Sequence, residues 1–181
     1  RNKIFKNPDV IPMWLADMDF RTPDFIVDAL QKRLDHGIFG YTYMPASFKK
    51  VAADWLLSRH DWNVHPSWIS FSPGVVPALN LILLAFTEPG DKIIVQPPVY
   101  FPFFSAVRNH GRILVNNPLH YEKGSYSMDL SDLESKIDPE TKMLFLCSPH
   151  NPTGNVWPRE VLEKLTAICL RNKIIIVSDE I

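Results

Sequence analysis

Cysteine is scarce in this chain. Its 181 residues hold two, Cys147 and Cys169, both in apolar surroundings. The pair reads as buried thiols of a reducing cytoplasm rather than as a disulfide. Long hydrophobic runs are lacking as well. The longest, Ala78 to Phe86, is interrupted by Asn80 and is far too short to span a bilayer. No signal-peptide pattern opens the chain. Neither sign of charge is in excess: 19 Lys and Arg face 20 Asp and Glu, for a net charge of −1. With no basic run interleaved with aromatics, a nucleic-acid partner is not expected. His60, His65, His110 and His120 show no metal-ligand spacing, so no metal is expected either. Nucleotide-binding glycine motifs are also missing. No Gly-Lys-Ser/Thr follows Gly74, and the second and third glycines of a dinucleotide fingerprint are absent. There is no internal repeat and no low-complexity segment.

What is present is ordinary in bulk and specific in pattern. Hydrophobic residues are 46% and charged residues 22%, as in a soluble globular domain. A chain of this length buries roughly 70% of its unfolded surface. Prolines number 16 and cluster beside strand ends, at Pro97-Pro98, Pro102, Pro149 and Pro152. Such residues fix loop shape.

The first segment, to about Phe20, reads as extended. Thr22-Pro23-Asp24 opens a helix with Thr22 as cap, and Gly37 stops it. Phe25, Ile26, Ala29, Leu30 and Leu34 form its apolar face. A Gly-Tyr-rich loop runs from Gly37 to Tyr43, and a second helix from about Ser47 to Arg59. A short strand is expected at Trp68–Phe71 and an apolar helix at Ala78–Phe86. Strands at 92–96, 112–115, 142–147 and 174–178 then alternate with helices at 101–109, 129–136 and 158–171. Continuous Ile/Val/Leu runs between amphipathic helices predict a mainly parallel sheet covered on both faces.

Two of these strands end in chemistry. Met143-Leu144-Phe145-Leu146-Cys147 runs into Ser148-Pro149-His150-Asn151-Pro152-Thr153-Gly154-Asn155. Ile174-Ile175-Ile176-Val177 runs into Ser178-Asp179-Glu180. An amide and a carboxylate thus stand at the carboxyl edge of the sheet, where open α/β folds bind ligands. Together they suit a flat heteroaromatic cofactor with a phenolic oxygen and a ring nitrogen, for which pyridoxal phosphate is the candidate. Gly74-Val75-Val76, at a helix start, has backbone donors for a phosphate. Tyr100 follows Gln96-Pro97-Pro98-Val99 and can lie flat on a planar ring. Asn151, held between prolines, can donate to a phenolate oxygen. Asp179 beside a pyridine nitrogen would keep that nitrogen protonated. A shift of about two units there is worth roughly 2.7 kcal/mol. Tyr41 could add a phenol to a phosphate site. Each has a plainer reading alone: a strand–helix turn, a core tyrosine, a turn asparagine, a helix cap or solvated acid.

In combination these residues resemble the fold-type I pyridoxal-phosphate enzymes of the class I/II aminotransferase superfamily. The nearer resemblance is to the cystathionine β-lyase (C–S lyase) branch, the MalY/PatB type. It rests on Pro12-Met13-Trp14-Leu15-Ala16-Asp17-Met18-Asp19-Phe20, Phe39-Gly40-Tyr41-Thr42, Ser72-Pro73-Gly74-Val75-Val76-Pro77-Ala78-Leu79, Gln96-Pro97-Pro98-Val99-Tyr100, Ser148 to Gly154, and Val177-Ser178-Asp179-Glu180-Ile181. These segments run in family order across nearly the whole chain. The Trp14-to-Phe20 segment favours the lyase branch.

The resemblance implies a three-layer α/β/α fold of the pyridoxal-phosphate-dependent transferase type, with an incomplete large domain. Residues 1–45 would form an N-terminal segment and dimer-contacting loop, part of the small domain or arm. Residues 46–181 would belong to the large cofactor-binding domain. By the same resemblance Gly74, Val75 and Val76 would hold the cofactor phosphate, and Tyr100 would stack on the ring. Asn151 would bond the phenolic oxygen and Asp179 the ring nitrogen. Tyr41 would reach the phosphate of the neighbouring subunit of a homodimer, and Ala16 would lie near an amino-acid substrate. Cis peptides are implied before Pro98 and Pro152. The family's Schiff-base lysine and carboxylate-binding arginine match no residue here. The chain, stopping just after Asp179-Glu180, is therefore expected to be the front portion of a longer polypeptide. The implied activity is β-elimination from cystathionine or cysteine to pyruvate, ammonia and a thiol. A class I/II aminotransferase and a non-catalytic binding or regulatory module are the rival readings.

Overall fold

A computed structural model describes Asp9, Ile11, Ala16 and residues 20–181. The chain divides into two compact units, Arg1–Ser67 and Trp68–Ile181. The first holds helices α1 (Asp24–His36) and α2 (Ala46–His60). Pro23, not Thr22, occupies the cap position of α1. Its extended backbone turns the carbonyl toward the N–H groups of Ile26 and Val27, at 3.0 and 3.3 Å. Proline's fixed φ suits this first position as well as the next. Gly37 closes α1 in a left-handed conformation, φ 69°, with its N–H on the Leu34 carbonyl. The apolar face of α1 is exposed within the described residues. Asp61, also left-handed, ends α2.

The second unit comprises α3 (Val75–Phe86), β1 (Lys92–Val95), α4 (Pro102–Asn109), β2 (Ile113–Asn116), β3 (His120–Glu122), β4 (Ser125–Ser127), α5 (Leu130–Ser135), β5 (Thr141–Cys147), α6 (Arg159–Arg171) and β6 (Ile175–Asp179). Four strands pair in the order β2-β1-β5-β6, all parallel. Side chains alternate across a strand. Ile93, Val95, Met143, Phe145 and Cys147 accordingly face one side, with Leu79, Leu83, Phe103 and Val107 of α3 and α4. Ile94, Leu144 and Leu146 face the other, with Leu133 of α5 and Leu165, Ile168 and Cys169 of α6. Two cores, one sheet between them, give the expected three layers. Phe103 and Phe145 meet edge to face at 5.3 Å. No helix among the described residues is long and apolar enough to cross a membrane.

Two segments depart from the sequence-based expectation. Residues 68–71 form no strand. A 3-10 turn occupies Pro66–Trp68, and both Trp68 and Phe71 are exposed. A strand needs a neighbour's ladder, and these residues join neither sheet. The hairpin of β3 and β4 was not read from the sequence. Its Lys123-Gly124 turn has positive φ at both positions, 49° and 84°, which matches the right-handed twist of the flanking strands. Tyr121 and Tyr126 pair across it at 4.8 Å. The helix expected to start at Ala78 begins earlier, at Val75.

Buried polar groups tie these layers together. Arg112 is 7% exposed. It donates to Thr87 Oγ1 (2.9 Å), to the His110 carbonyl (2.6 Å), and to the carbonyls of Leu83 (3.3 Å) and Thr87. A guanidinium at the carbonyl end of α3 meets the Thr87 carbonyl, shares the Leu83 carbonyl with the N–H and hydroxyl of Thr87, and faces the negative end of the helix dipole. On the other face, Gln96 Nε2 donates to Asn117 Oδ1 at 2.9 Å, and Asn117 Nδ2 donates to Asp132 Oδ2 at 2.9 Å. Lys136 completes the chain at 2.6 Å from the same carboxylate. The Lys136 ammonium, then the Asn117 amide, hold the Asp132 carboxyl below its usual range.

Replacing Arg112 with Met should destabilise the fold by about 2–3 kcal/mol, because several buried carbonyls lose a charged donor. Urea denaturation of the full-length protein measures this, and a change under about 0.5 kcal/mol would refute the capping role. Asp132 generates a pH prediction. A depressed folded pKa adds stability above the unfolded value near 4, and that stability is lost as pH falls through the folded pKa. Asp132→Asn should therefore lower the denaturation midpoint at pH 7, and the gap to wild type should close toward pH 3. An equal gap at both values would show that the charge contributes nothing.

Candidate functional site

Parallel strands end together at one edge, and β1, β5 and β6 are neighbours there. Cys147 lies opposite Asp179 in the β5–β6 register. Just beyond, the Ser148 N–H donates to the Asp179 carbonyl at 3.0 Å. The loop carrying Asn151 thus starts beside the strand end that carries the acid.

Asp179 is 9% exposed. Its carboxylate accepts the Ile181 N–H at 3.3 Å, and among the described residues no cation pairs with it. A buried carboxylate in that state is costly unless a donor or cation meets it. Asp179 also lines a cavity of about 300 Å³ with Val177, Ser178, Val75, Ala78 and Ile82. The start of α3 therefore faces the acid across one hollow. Gly74 sits at the cap of α3 with φ 131°. An added Cβ there would meet Pro77 Cδ only at 3.5 Å, so backbone conformation rather than crowding calls for glycine. No side chain caps this end. Pro77 has no N–H, which leaves Val75 and Val76 as first-turn donors.

Tyr100 follows the cis Pro97–Pro98 peptide and is half-buried, with its ring 5.3 Å from that of Phe101. It packs against the core of α3 and α4. Asn151 is exposed in the β5 loop, where Asn151–Pro152 is also cis. Its backbone N–H donates to Cys147 Sγ at 3.3 Å. A third cis bond, Ser148–Pro149, was not anticipated. Both cysteines are buried and free, as the sequence reading expected. Burial pushes the Cys147 thiol up, the Asn151 N–H opposes this, and the Asp179 charge adds to it. Burial drives the Cys169 thiol to about 11.

The second unit thus brings Val75, Asp179, Asn151 and Tyr100 to neighbouring strand and helix ends. Tyr41 and Ala16 belong to the first unit and are exposed. Of the Pro12-to-Phe20 segment, residues 12–15 and 17–19 lie outside the described residues.

Sequence reasoning passed over His150. It is 1% exposed, and its ring nitrogens face two carbonyls: Pro98 O at 2.8 Å from Nε2 and Cys147 O at 3.2 Å from Nδ1. Trp157 Nε1 donates to the same Cys147 oxygen at 2.9 Å, and the two rings meet edge to face. The available signal was position, since His150 immediately precedes the candidate amide in a proline-bounded loop.

Polar groups gathered at the carboxyl edge of a parallel sheet define a ligand-binding open α/β domain. The family can be stated more closely. The model for aminotransferase class I and II matches residues 8–181, and the chain belongs to that family. It is 51% identical over 180 residues to cystathionine β-lyase PatB of Bacillus subtilis, covering 99% of this chain and 46% of that protein. Protein MalY of Escherichia coli is 31% identical over 179 residues, covering 98% of this chain and 46% of that protein. The crystal structure of cystalysin from Treponema denticola contains a pyridoxal 5′-phosphate cofactor. It matches with a TM-score of 0.90 and 39% identity over 97% of this chain and 45% of that one. The chain spans less than half the length of these relatives.

Proposed function

We propose that the protein containing this chain is a pyridoxal-phosphate-dependent carbon–sulfur β-lyase acting on cystathionine, cysteine or a similar amino acid. The observation that carries the cofactor reading is Asp179, a buried carboxylate with no cation beside it among the described residues. A protonated ring nitrogen would be its missing partner. The 51% identity to a cystathionine β-lyase favours elimination over transamination.

The other residues fit the same group. Val75 and Val76, behind Gly74, have first-turn donors for a phosphate. Tyr100 has an aromatic face at the adjoining strand end. The side chain of Asn151 is exposed and has no partner among the described residues, so its amide is available to a phenolic oxygen. Pyridoxal phosphate, when bound, supplies an electron sink for charge left on the substrate Cα. Asp179 would hold the proton at the ring nitrogen that makes the sink effective. In the overall reaction the β-carbon–sulfur bond breaks, the sulfur leaves as a thiol, and water converts the remainder to pyruvate and ammonia.

Residues 1–45 would belong to the small domain or arm and residues 46–181 to the large domain. The protein would act as a cytoplasmic homodimer, with Tyr41 reaching the neighbouring subunit's phosphate and Ala16 near the substrate. Transamination is the second reading, and the family's own description favours it. The same cofactor residues would serve it.

The full-length protein should show a visible absorbance band that borohydride removes, and should release pyruvate from cystathionine with no keto acid added. Turnover that requires a keto acid would establish the aminotransferase. A protein with no band after addition of pyridoxal phosphate would be a non-catalytic module. Asp179→Ala should reduce turnover about a hundredfold, the value of two units at the ring nitrogen. Activity within a few-fold of wild type would overturn that role.

A further inference from the structure

We propose that His150 is a positioning residue: its imidazole joins the loop bearing Asn151 to the loop bearing Tyr100, and so sets the separation of amide and aromatic ring on the cofactor. The inference rests on the pyridoxal-phosphate reading above. Asn151 and Tyr100 lie on different loops, after β5 and β1, and neither side chain bonds to the other's loop. The link between them passes through His150. Nε2 is 2.8 Å from the carbonyl of Pro98, two residues before Tyr100, while the backbone of His150 leads directly into Asn151.

The hydrogen bonds indicate which ring nitrogen matters. The Cys147 carbonyl already accepts the Trp157 indole N–H at 2.9 Å and lies 3.2 Å from Nδ1. The Pro98 carbonyl has the shorter contact, so a proton on Nε2 serves the oxygen with the greater need. The ring is 1% exposed and is held edge-on by Trp157 at 5.4 Å. The buried ring shields its donor from water, and loss of the donor removes the ring's part-buried hydrogen bond to the Pro98 carbonyl. The loop itself is closed by His150. Its N–H donates to the Asn155 carbonyl at 2.7 Å, and its carbonyl accepts the Gly154 N–H at 2.6 Å. The ring therefore anchors a loop whose internal shape is already set, and what it controls is placement relative to the β1 end.

The test uses the full-length protein and three substitutions. His150→Phe keeps a planar ring and removes the Nε2 donor. His150→Gln carries an amide N–H that reaches the Pro98 carbonyl, whereas the amide of His150→Asn is too short. Two properties of each are measured: the dissociation constant for pyridoxal phosphate, by equilibrium dialysis of the apo protein, and the absorption maximum of the bound cofactor. His150→Phe and His150→Asn are expected to weaken binding at least tenfold and to displace the band. His150→Gln should stay within about threefold of wild type with an undisplaced band. Binding within twofold of wild type for both Phe and Asn, with an unchanged band, overturns the proposal. If His150→Phe does not fold, the Gln and Asn variants decide it, and equal affinities for those two overturn it. A wild-type protein that binds no pyridoxal phosphate overturns the cofactor reading and this inference together.

Discussion

The site depends on the register of β5 against its two neighbours. Pairing Met143 with both Ile93 and Ile175 aligns three strands so that their carboxyl ends lie at one edge of the sheet, with Cys147 opposite Asp179. The loops that leave β1 and β5 hold Tyr100 and Asn151, and Asp179 is the last residue of β6. A slip of one residue in β5 would exchange its two buried faces, sending Met143, Phe145 and Cys147 toward α6 and Leu144 and Leu146 toward α4. Both cores are fully apolar around β5, so the register is fixed by two packing surfaces at once. Chemistry at the strand ends thereby inherits its precision from apolar packing in the strand middles.

Polar groups in this domain are grouped by function. Arg112 and the Gln96–Asn117–Asp132–Lys136 chain are internally satisfied, apart from Gln96 Oε1, which has no partner among the described residues. Such networks specify a structure because each member constrains the next. Asp179 is different, with one long backbone contact and a hollow in front of it. A carboxylate with one backbone donor beside a hollow leaves room for a ligand to complete its pairing.

Much of this was legible in the sequence because the relevant signals are local. Apolar runs marked β1, β5 and β6, and proline-bounded loops marked the places where Asn151 and Tyr100 leave the sheet. The failures have different causes. Trp68 to Phe71 has strand-like composition, but a strand also needs a neighbour, and composition cannot supply one. Thr22 lost the cap of α1 to Pro23, whose backbone carbonyl accepts from Ile26 and Val27 with no side-chain cap bond. The position of His150 before Asn151 was readable, but its contacts were not, because Pro98 lies 52 residues before it and Trp157 across the following loop. Lys123-Gly124 was the exception, a local turn signal between two tyrosines that could have been read.

The capping of α3 by Arg112 bears on how the opposite end of that helix behaves. A guanidinium locked to the last carbonyls anchors the helix at its foot, and the apolar contacts of Leu79 and Leu83 fix its flank. The N–H groups at Val75 and Val76 are then presented at the free end of an anchored helix. An anion docking there would meet donors already aimed, so little conformational entropy would be lost on capture. Residues far from the cavity, at the turn after α3, would in this way set how tightly its mouth holds charge.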